Sequence, residues 1–552
     1  MTLLNGNTLR DAILSGANHI ANNRQKVDEL NVFPVPDGDT GTNMSMTIGN
    51  GAREIVRLQD ETAEAVSDAA ASALLRGARG NSGVILSLLF RGIAKGLKGC
   101  ETVDGPHLAD ALGQGVEAAY KAVMKPTEGT ILTVARVAAE TARASAQEGK
   151  DTVAVFEDAL SGAREALAQT PEQLPVLKKA GVVDAGGQGL VIIFEGMLSV
   201  FKDNILIAPT DRAPAPTAAP RNAAAEFEGE ITFTYCTEFI VKRNREKKDP
   251  LRLRAFLETI GDCVVVVDDE QIIKVHVHTD HPGKAIEYAL DFGQLVNLKI
   301  DNMRDQHERA RHEAAETPAA PAGGEDYQSV PMEKPVGFVS VAAGEGLHTL
   351  FTDLGADQVV SGGQTMNPST DDILKAVELT PAETVFVLPN NKNIIMAAEQ
   401  AIPLSTRRVV VLHTRTIPMG ISAMLAFDPD LSVDENAIAM EKAAEHVGTG
   451  QITFAARDSN YDGHKIKKGE LLALENGKVA FTEENLQKAV IRLTRSLAKR
   501  DSAFVTLIYG EDVSDEQAEE IRAALEAKLG KDVELTMING GQPVYYFIIS
   551  VE

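Results

Sequence analysis

The stretch Asn31-Val-Phe-Pro-Val-Pro-Asp-Gly-Asp-Thr-Gly-Thr-Asn-Met44 crowds two carboxylates, two glycines and several small polar side chains into the residues from Asp37 onward. Pro34 and Pro36 fix φ and bias their predecessors toward extended backbone, so the chain enters Asp37 stiff and non-helical. In extended backbone, residues two apart face the same way, and Asp37 and Asp39 then present both carboxylates to one point. A hard cation such as Mg²⁺ takes oxygen ligands of this kind and keeps other positions for water and phosphate. Gly38 and Gly41 let the backbone come close. Thr40, Gly41, Thr42 and Asn43 offer N–H and hydroxyl donors at what reads as a helix start, a favourable place for an anion. The same composition also suits a capping turn or a calcium loop, although no Glu follows at the bidentate spacing of an EF-hand.

Three later breaks between helical segments carry similar chemistry. In Arg76-Gly-Ala-Arg-Gly-Asn-Ser-Gly83, Asn81 and Ser82 stand between glycines just before an apolar helix, where a phosphate meets unpaired N–H groups; an ordinary N-cap by Ser82 is the alternative. Lys125-Pro-Thr-Glu-Gly-Thr130 also runs into a helix, and Gly129 and Thr130 suit either a cap or a nucleotide contact. In Val183-Asp-Ala-Gly-Gly-Gln-Gly189 the glycines after Ala185, Gly186 first, permit close backbone approach to a planar or sugar group, with an acceptor in Asp184, or else serve tight helix packing. Arg76 and Arg79 are cations for a transferring phosphoryl group, or dipole and solvent partners at a helix end.

These breaks punctuate a region, residues 1 to about 203, whose Ala, Leu and Val recur at helical spacing without an alternating strand. The clearest helices are 8–22, 61–77, 83–97, 107–124, 130–148, 152–169 and 186–202. A Pro/Ala-rich linker at 209–225 cannot build a core. Beyond it the pattern predicts strand 231–242, helix 250–260, strands 263–268 and 272–279, helix 282–292 and strand 295–300, the order of a ferredoxin-like α+β domain. There, Lys274-Val-His-Val-His-Thr279 alternates, so His276 and His278 share a face, and Cys236 lies mid-strand. If the two strands are neighbours, one thiolate and two imidazoles converge as zinc requires; surface histidines and a buried cysteine are the alternative. A second flexible stretch, 310–334, precedes an α/β pattern with strands near 336–341, 358–360, 384–388 and 408–412, and later strands at 451–457, 503–509 and 544–551. Asn390, Asn391 and Asn393 suit either a polar site or a loop.

A chain of 552 residues suggests about three domains. Its 54 basic and 79 acidic residues give a net charge of -25, which disfavours nucleic acid. Cys100, Cys236 and Cys263 are an odd, sparse set of the kind found in a reducing compartment. Without a leader pattern or a spanning apolar run, the expected location is cytoplasmic, without stable membrane insertion.

Taken together, the loops around Asp37, Asn81, Thr130 and Asp184 resemble those of the dihydroxyacetone-kinase nucleotide subunit, in the form found in the ATP-binding subunit of bacterial fatty-acid kinase. The resemblance continues with Cys236 and His276-Val-His278 in the zinc-type middle domain. It extends to Ser361-Gly-Gly-Gln-Thr-Met-Asn-Pro-Ser369 and Leu388-Pro-Asn-Asn-Lys-Asn393, which look like DegV-type fatty-acid-binding proteins. It implies an eight-helix all-α barrel over 1–205 binding Mg-ATP, a middle domain over 226–308 and a DegV-like domain over 335–552. Asp37 and Asp39 would hold Mg²⁺, with Asn31 the nearest counterpart of a third carboxylate. Thr40 to Asn43, Asn81, Ser82 and Asp184 to Gly186 would contact ATP. Cys236, His276 and His278 would bind Zn²⁺, the fourth ligand coming from water, Glu238 or His281. The implied reaction moves the γ-phosphoryl group of ATP onto the carboxylate of a fatty acid carried by a separate DegV-type protein, giving acyl phosphate for phospholipid synthesis; a homodimer fits the family. A dihydroxyacetone-type kinase and a nucleotide-binding scaffold without turnover are the alternatives.

Overall fold

The computed structural model describes residues 3–31, 38–58, 61–123, 126–209, 234–243, 248, 250–268, 272–302, 329–363, 366–455, 459–461, 464–499, 502–530 and 533–552. By internal packing the chain forms two compact units, Met1–Arg212 with Tyr327–Glu552, and Ala213–Asp326.

In the first unit the N-terminal part is helical: α1 (Gly6–Asp28), α2 (Thr40–Ile55), α3 (Ala63–Arg76), α4 (Gly80–Gly96), α5 (Gly105–Ala122), α6 (Ile131–Gln147), α7 (Thr152–Gln173), α8 (Pro175–Ala180) and α9 (Ala185–Asp203). Side-chain oxygens start most of them. Asn5, Thr62, Asp104, Asp151 and Asp184 each accept a first-turn N–H, satisfying donors that the helix itself cannot. Small residues allow close helix approach: a Cβ on Gly196 would stand 2.7 Å from the Cα of Gly16, which brings α9 against α1. The seven expected helices are all present. The periodicity did not separate α2 or the short α8, and a two-residue pair of strands, β1 (Leu4–Asn5) with β2 (Thr102–Val103), was not foreseen.

The C-terminal part of this unit is α/β. Strands β7 (Lys334–Ala342), β8 (Gln358–Ser361), β9 (Ala382–Leu388) and β10 (Arg408–Val411) form a parallel sheet in the order β10-β9-β7-β8. Helices Glu345–Asp353, Thr370–Glu378 and Ile395–Ala401 lie between successive strands. A second sheet orders β15 (Lys478–Glu483), β14 (Leu471–Glu475), β11 (Gly448–Phe454), β18 (Phe547–Val551), β16 (Phe504–Tyr509) and β17 (Glu534–Asn539). Ile508 and Ile548 of this sheet share a buried cluster with Phe338 and Phe386 of the first and with Leu412, which follows β10. The core of the helical part also continues into Val339, Val341, Ile373 and Ala397, so helices and parallel sheet are packed on one another.

The second unit runs β3 (Tyr235–Arg243), α10 (Pro250–Ile260), β4 (Gly261–Asp268), β5 (Ile272–Thr279), α11 (Pro282–Leu290) and β6 (Gly293–Asn302). Its sheet is antiparallel in the order β4-β5-β3-β6. Phe239, Val241, Leu253, Leu257, Val275 and Ala289 are among its buried residues.

Candidate functional site

Residues 32–37, and so Asp37, lie outside the described residues; the described residues on either side of them are tied to one another. Asp28, in the last turn of α1, accepts from the backbone N–H of Thr42 at 3.1 Å and from its hydroxyl at 2.8 Å. Burial pushes the Asp28 carboxyl above its ordinary pKa, while the bonds from Thr42 act the other way. Thr40 donates through Oγ1 to Asn31 Oδ1 at 3.2 Å, and a Cβ on Gly38 would stand 3.2 Å from that of Asn31. Asn31 therefore lies beside Gly38, anchored to Thr40. Asp28 was missed because a helix-end aspartate three residues earlier carries no motif.

The start of α2 abuts the start of α4. Gly80 has φ +57, and a Cβ there would stand 2.5 Å from Asn43 Nδ2. The Arg79 N–H donates to Thr47 Oγ1 at 3.2 Å, and a Cβ on Gly83 would stand 2.4 Å from that oxygen. Two helix N-termini, with their partial positive charge and spare N–H donors, thus meet beside Asp39. Asn81 contributes a buried Oδ1 with no hydrogen-bond partner among the described residues.

The other two breaks also come together. A Cβ on Gly186 would stand 3.2 Å from the Cβ of Ile131, placing the start of α9 on the start of α6. Asp184 Oδ2 accepts from Gly187 N at 2.7 Å, and burial pushes the Asp184 carboxyl up to about 6. Thr130 caps α6, and the Gly129 N–H (φ +80) donates to Thr133 Oγ1 at 2.8 Å. Glu128 accepts from Thr133, Tyr120 and Arg136, and these bonds, the Thr133 hydroxyl first, hold its pKa below the usual range. Met44, in the second turn of α2, lies within 2.5 Å of where a Cβ on Gly189 would stand, so the α2 and α9 starts are neighbours. Four helix N-termini therefore cluster at one end of the helical part.

Residues from the α/β part lie on this end. Asn367 Nδ2 donates to Asp39 Oδ2 at 2.6 Å. Arg79 Nη1 donates to the Asn367 carbonyl at 2.8 Å, and Arg79 Nη2 is 3.2 Å from the Asp372 carboxylate. Asn81 Nδ2 meets Asn393 Oδ1 at 3.4 Å. Arg76 is exposed. Asn390 (φ 54) is buried and donates to Ser340 Oγ and the Val341 carbonyl, while its Oδ1 has no partner among the described residues. Asn390 and Asn391 line a cavity of about 520 Å³ at the C-terminal ends of the parallel strands.

In the second unit the β3–β5 register pairs Cys236 with His278 and Glu238 with His276, so these two strands are neighbours. The side chains of Cys236, His276 and His278 lie outside the described residues. Among the described residues no group of three or more His, Cys, Asp or Glu could hold a metal ion, and no helix is long and apolar enough to cross a membrane.

The donors at the α2 and α4 starts, with the Asp39 carboxylate and the orphaned Asn81 oxygen, fit a magnesium-bound polyphosphate. Residues 34–199 match the DAK2 domain model, 232–310 the middle domain of the FakA-like fatty acid kinase family, and 337–552 the C-terminal domain of that same family. The chain belongs to the FakA-like fatty acid kinase family. Protein YloV of Bacillus subtilis is 43% identical over 100% of this chain and 99% of its own, and an uncharacterized protein of Staphylococcus haemolyticus is 40% identical with the same coverage. Among solved structures, a fatty-acid-binding DegV family protein from Thermus thermophilus covers 39% of this chain and 99% of that one at 14% identity and TM-score 0.30. The dihydroxyacetone kinase from C. freundii, in complex with AMP-PNP and Mg²⁺, covers 35% of this chain and 33% of its own at 19% identity and TM-score 0.28.

Proposed function

We propose that the chain is the ATP-dependent catalytic component of a fatty-acid kinase. It would transfer the γ-phosphoryl group of ATP to the carboxylate of a fatty acid held by a separate DegV-type protein. The observation that carries this reading is the meeting of the α2 and α4 N-termini, with Asp39, Gly80 and Asn81 at their junction. Asp37 and Asp39 would hold Mg²⁺, with Asn31 beside them. Thr40 to Asn43, Asn81, Ser82, Gly129, Thr130 and Asp184 to Gly186 would hold the nucleotide. When bound, Mg-ATP supplies the transferable phosphoryl group and the divalent charge that offsets its oxygens. The residues around it position and neutralise, which is the main work of phosphoryl-transfer enzymes. A fatty-acid carboxylate is already ionised at neutral pH, so no general base is needed, in keeping with a metal loop that contains no histidine.

In this reading residues 1–205 form the kinase barrel, 226–308 a ferredoxin-like domain with a zinc site at Cys236, His276 and His278, and 335–552 the domain that engages the carrier. Burying an acyl chain is worth about 0.8 kcal/mol per CH₂, which favours a carrier that shields the tail and shows only the carboxylate. The chain would act in the cytoplasm, as a homodimer. The test is ADP and acyl-phosphate formation with Mg-ATP, with and without the loaded carrier. Nucleotide binding without turnover under both conditions would instead support a scaffold, a reading that the asparagine at position 31 favours.

A further inference from the structure

We propose that the segment 366–372 of the α/β part is a self-docked occupant of the phosphoryl-transfer notch, and that Mg-nucleotide and the acyl-bearing partner must displace it. The proposal rests on the reading of that notch as the Mg-ATP site.

Asn367 is only 3% exposed. Its Nδ2 donates to Asp39 Oδ2 at 2.6 Å and lies 3.3 Å from where a Cβ on Gly80 would stand, so the amide fills the gap between the α2 and α4 starts. An amide N–H is the positive end of a dipole and carries no acceptor, so it stands on the Asp39 oxygen where a cation would otherwise sit. Arg79, next to Gly80 at the α4 start, is engaged by the Asn367 carbonyl and the Asp372 carboxylate. A guanidinium already paired with a carboxylate has less field to offer a phosphoryl group. Backbone seals the contact: Thr370 N donates to the Ala78 carbonyl at 3.1 Å, and Ser369 bridges to Arg79. An acceptor oxygen must approach the transferring phosphorus opposite the leaving oxygen, so a segment seated on Asp39 and Arg79 would compete for the space around that phosphorus.

The contact is constructed to part. Asn81 Oδ1, Thr370 Oγ1 and Asp371 Oδ1 are buried there without hydrogen-bond partners among the described residues. A buried polar atom without a partner is destabilising, a cost that is relieved once water or a ligand reaches it. Beneath the polar segment the apolar packing of Ile373 and Ala397 into the helical core keeps the α/β part in place when the segment withdraws. The surface uncovered by withdrawal carries Asp39, Arg79 and Asn81. Arg79, freed from Asp372, suits a protein partner that presents a single exposed carboxylate, as the acyl carrier would.

The full chain is compared with Asn367→Asp, which sets a carboxylate against Asp39, and with Asn367→Ala, which removes the donor without adding charge. Amide hydrogen exchange of peptides covering 77–83 and 366–372 is measured without nucleotide, and affinity for a non-hydrolysable ATP analogue with Mg²⁺ by calorimetry. We expect Asn367→Asp to raise exchange at both segments by about tenfold and to tighten nucleotide binding by a similar factor, the equivalent of one charge-assisted hydrogen bond. Asn367→Ala should move both readouts the same way by less, with exchange elsewhere unchanged, which separates undocking from misfolding. Adding Mg-analogue to the unmodified chain should raise exchange at 366–372. Unchanged exchange in both variants overturns the docking, and weaker nucleotide binding in both overturns displacement by showing that Asn367 helps hold the nucleotide. Faster exchange with no nucleotide binding in any chain refutes the Mg-ATP reading itself. Failure to form acyl phosphate would count against the fatty-acid reading alone, since neither readout uses an acceptor.

Discussion

Replacing Asp184 with Asn should stabilise the helical part at neutral pH and leave it unchanged in acid. Burial pushes this carboxyl from 3.8 to about 6, against the backbone bond from Gly187. The gap of about 2 units, at about 1.4 kcal/mol each, puts the cost of holding the ionised form at about 3 kcal/mol. The sign follows from proton binding. Between about pH 4 and 6 the folded chain holds a proton that the unfolded chain has released, so stability falls as pH rises through that window, and the full cost remains above it. Asparagine keeps an acceptor for the Gly187 N–H and is itself a good N-cap, so the helix start survives the change. Thermal unfolding of both full chains at several pH values tests this. The variant's midpoint should lie several degrees above that of the unmodified chain at pH 7.5, and the two should converge near pH 4. Glu128, Asp158 and Glu195, whose pKa values are held low by their partners, impose the opposite slope on both proteins and cancel in the difference. A difference independent of pH, or a variant less stable at pH 7.5, would be incompatible with a buried carboxylate ionised at a cost. If Asp184 also accepts from nucleotide, the stabilised variant should bind ATP more weakly.

Asp39→Asn should cost at least about a hundredfold in magnesium-dependent phosphoryl transfer while far-ultraviolet circular dichroism stays unchanged, because the side chain belongs to a polar loop rather than the core. Asp28→Ala removes both bonds that hold Thr42 and should destabilise the α2 start by about 1–2 kcal/mol, read as faster amide exchange through residues 40–45. Metal analysis of the purified full chain should find zinc that is lost in Cys236→Ser; zinc content unaffected by that change would return Cys236 to an ordinary strand position.

Much of this was legible in local pattern. The Ala/Leu spacing marked the helices of the N-terminal part because each buries one stripe. The middle unit's order was visible because its strands alternate and Pro250 and Pro282 start its helices. Other elements were hidden for physical reasons. Residues 40–55 read as a site before they read as a helix, since three glycines and three threonines depress helix propensity there and packing against α1, α3, α4 and α9 sustains it. Strand β17 is half-exposed and finds its place only by parallel pairing with β16. The loops at the α2, α4 and α9 starts could be picked out from glycine spacing, whereas the contacts of Asn367 with Asp39 and of Asp372 with Arg79 join residues about three hundred positions apart, which no local spacing encodes.

Phosphoryl transfer to a carrier-held fatty acid is tested by incubating the full chain with Mg-ATP and a fatty-acid-loaded DegV-type protein. ADP is measured alongside acyl phosphate trapped as its hydroxamate. Both products should form in equal amounts, depend on the carrier and on magnesium, and be absent with Asp39→Asn. ADP without acyl phosphate, or phosphoryl transfer to dihydroxyacetone in its place, would contradict a fatty-acid kinase.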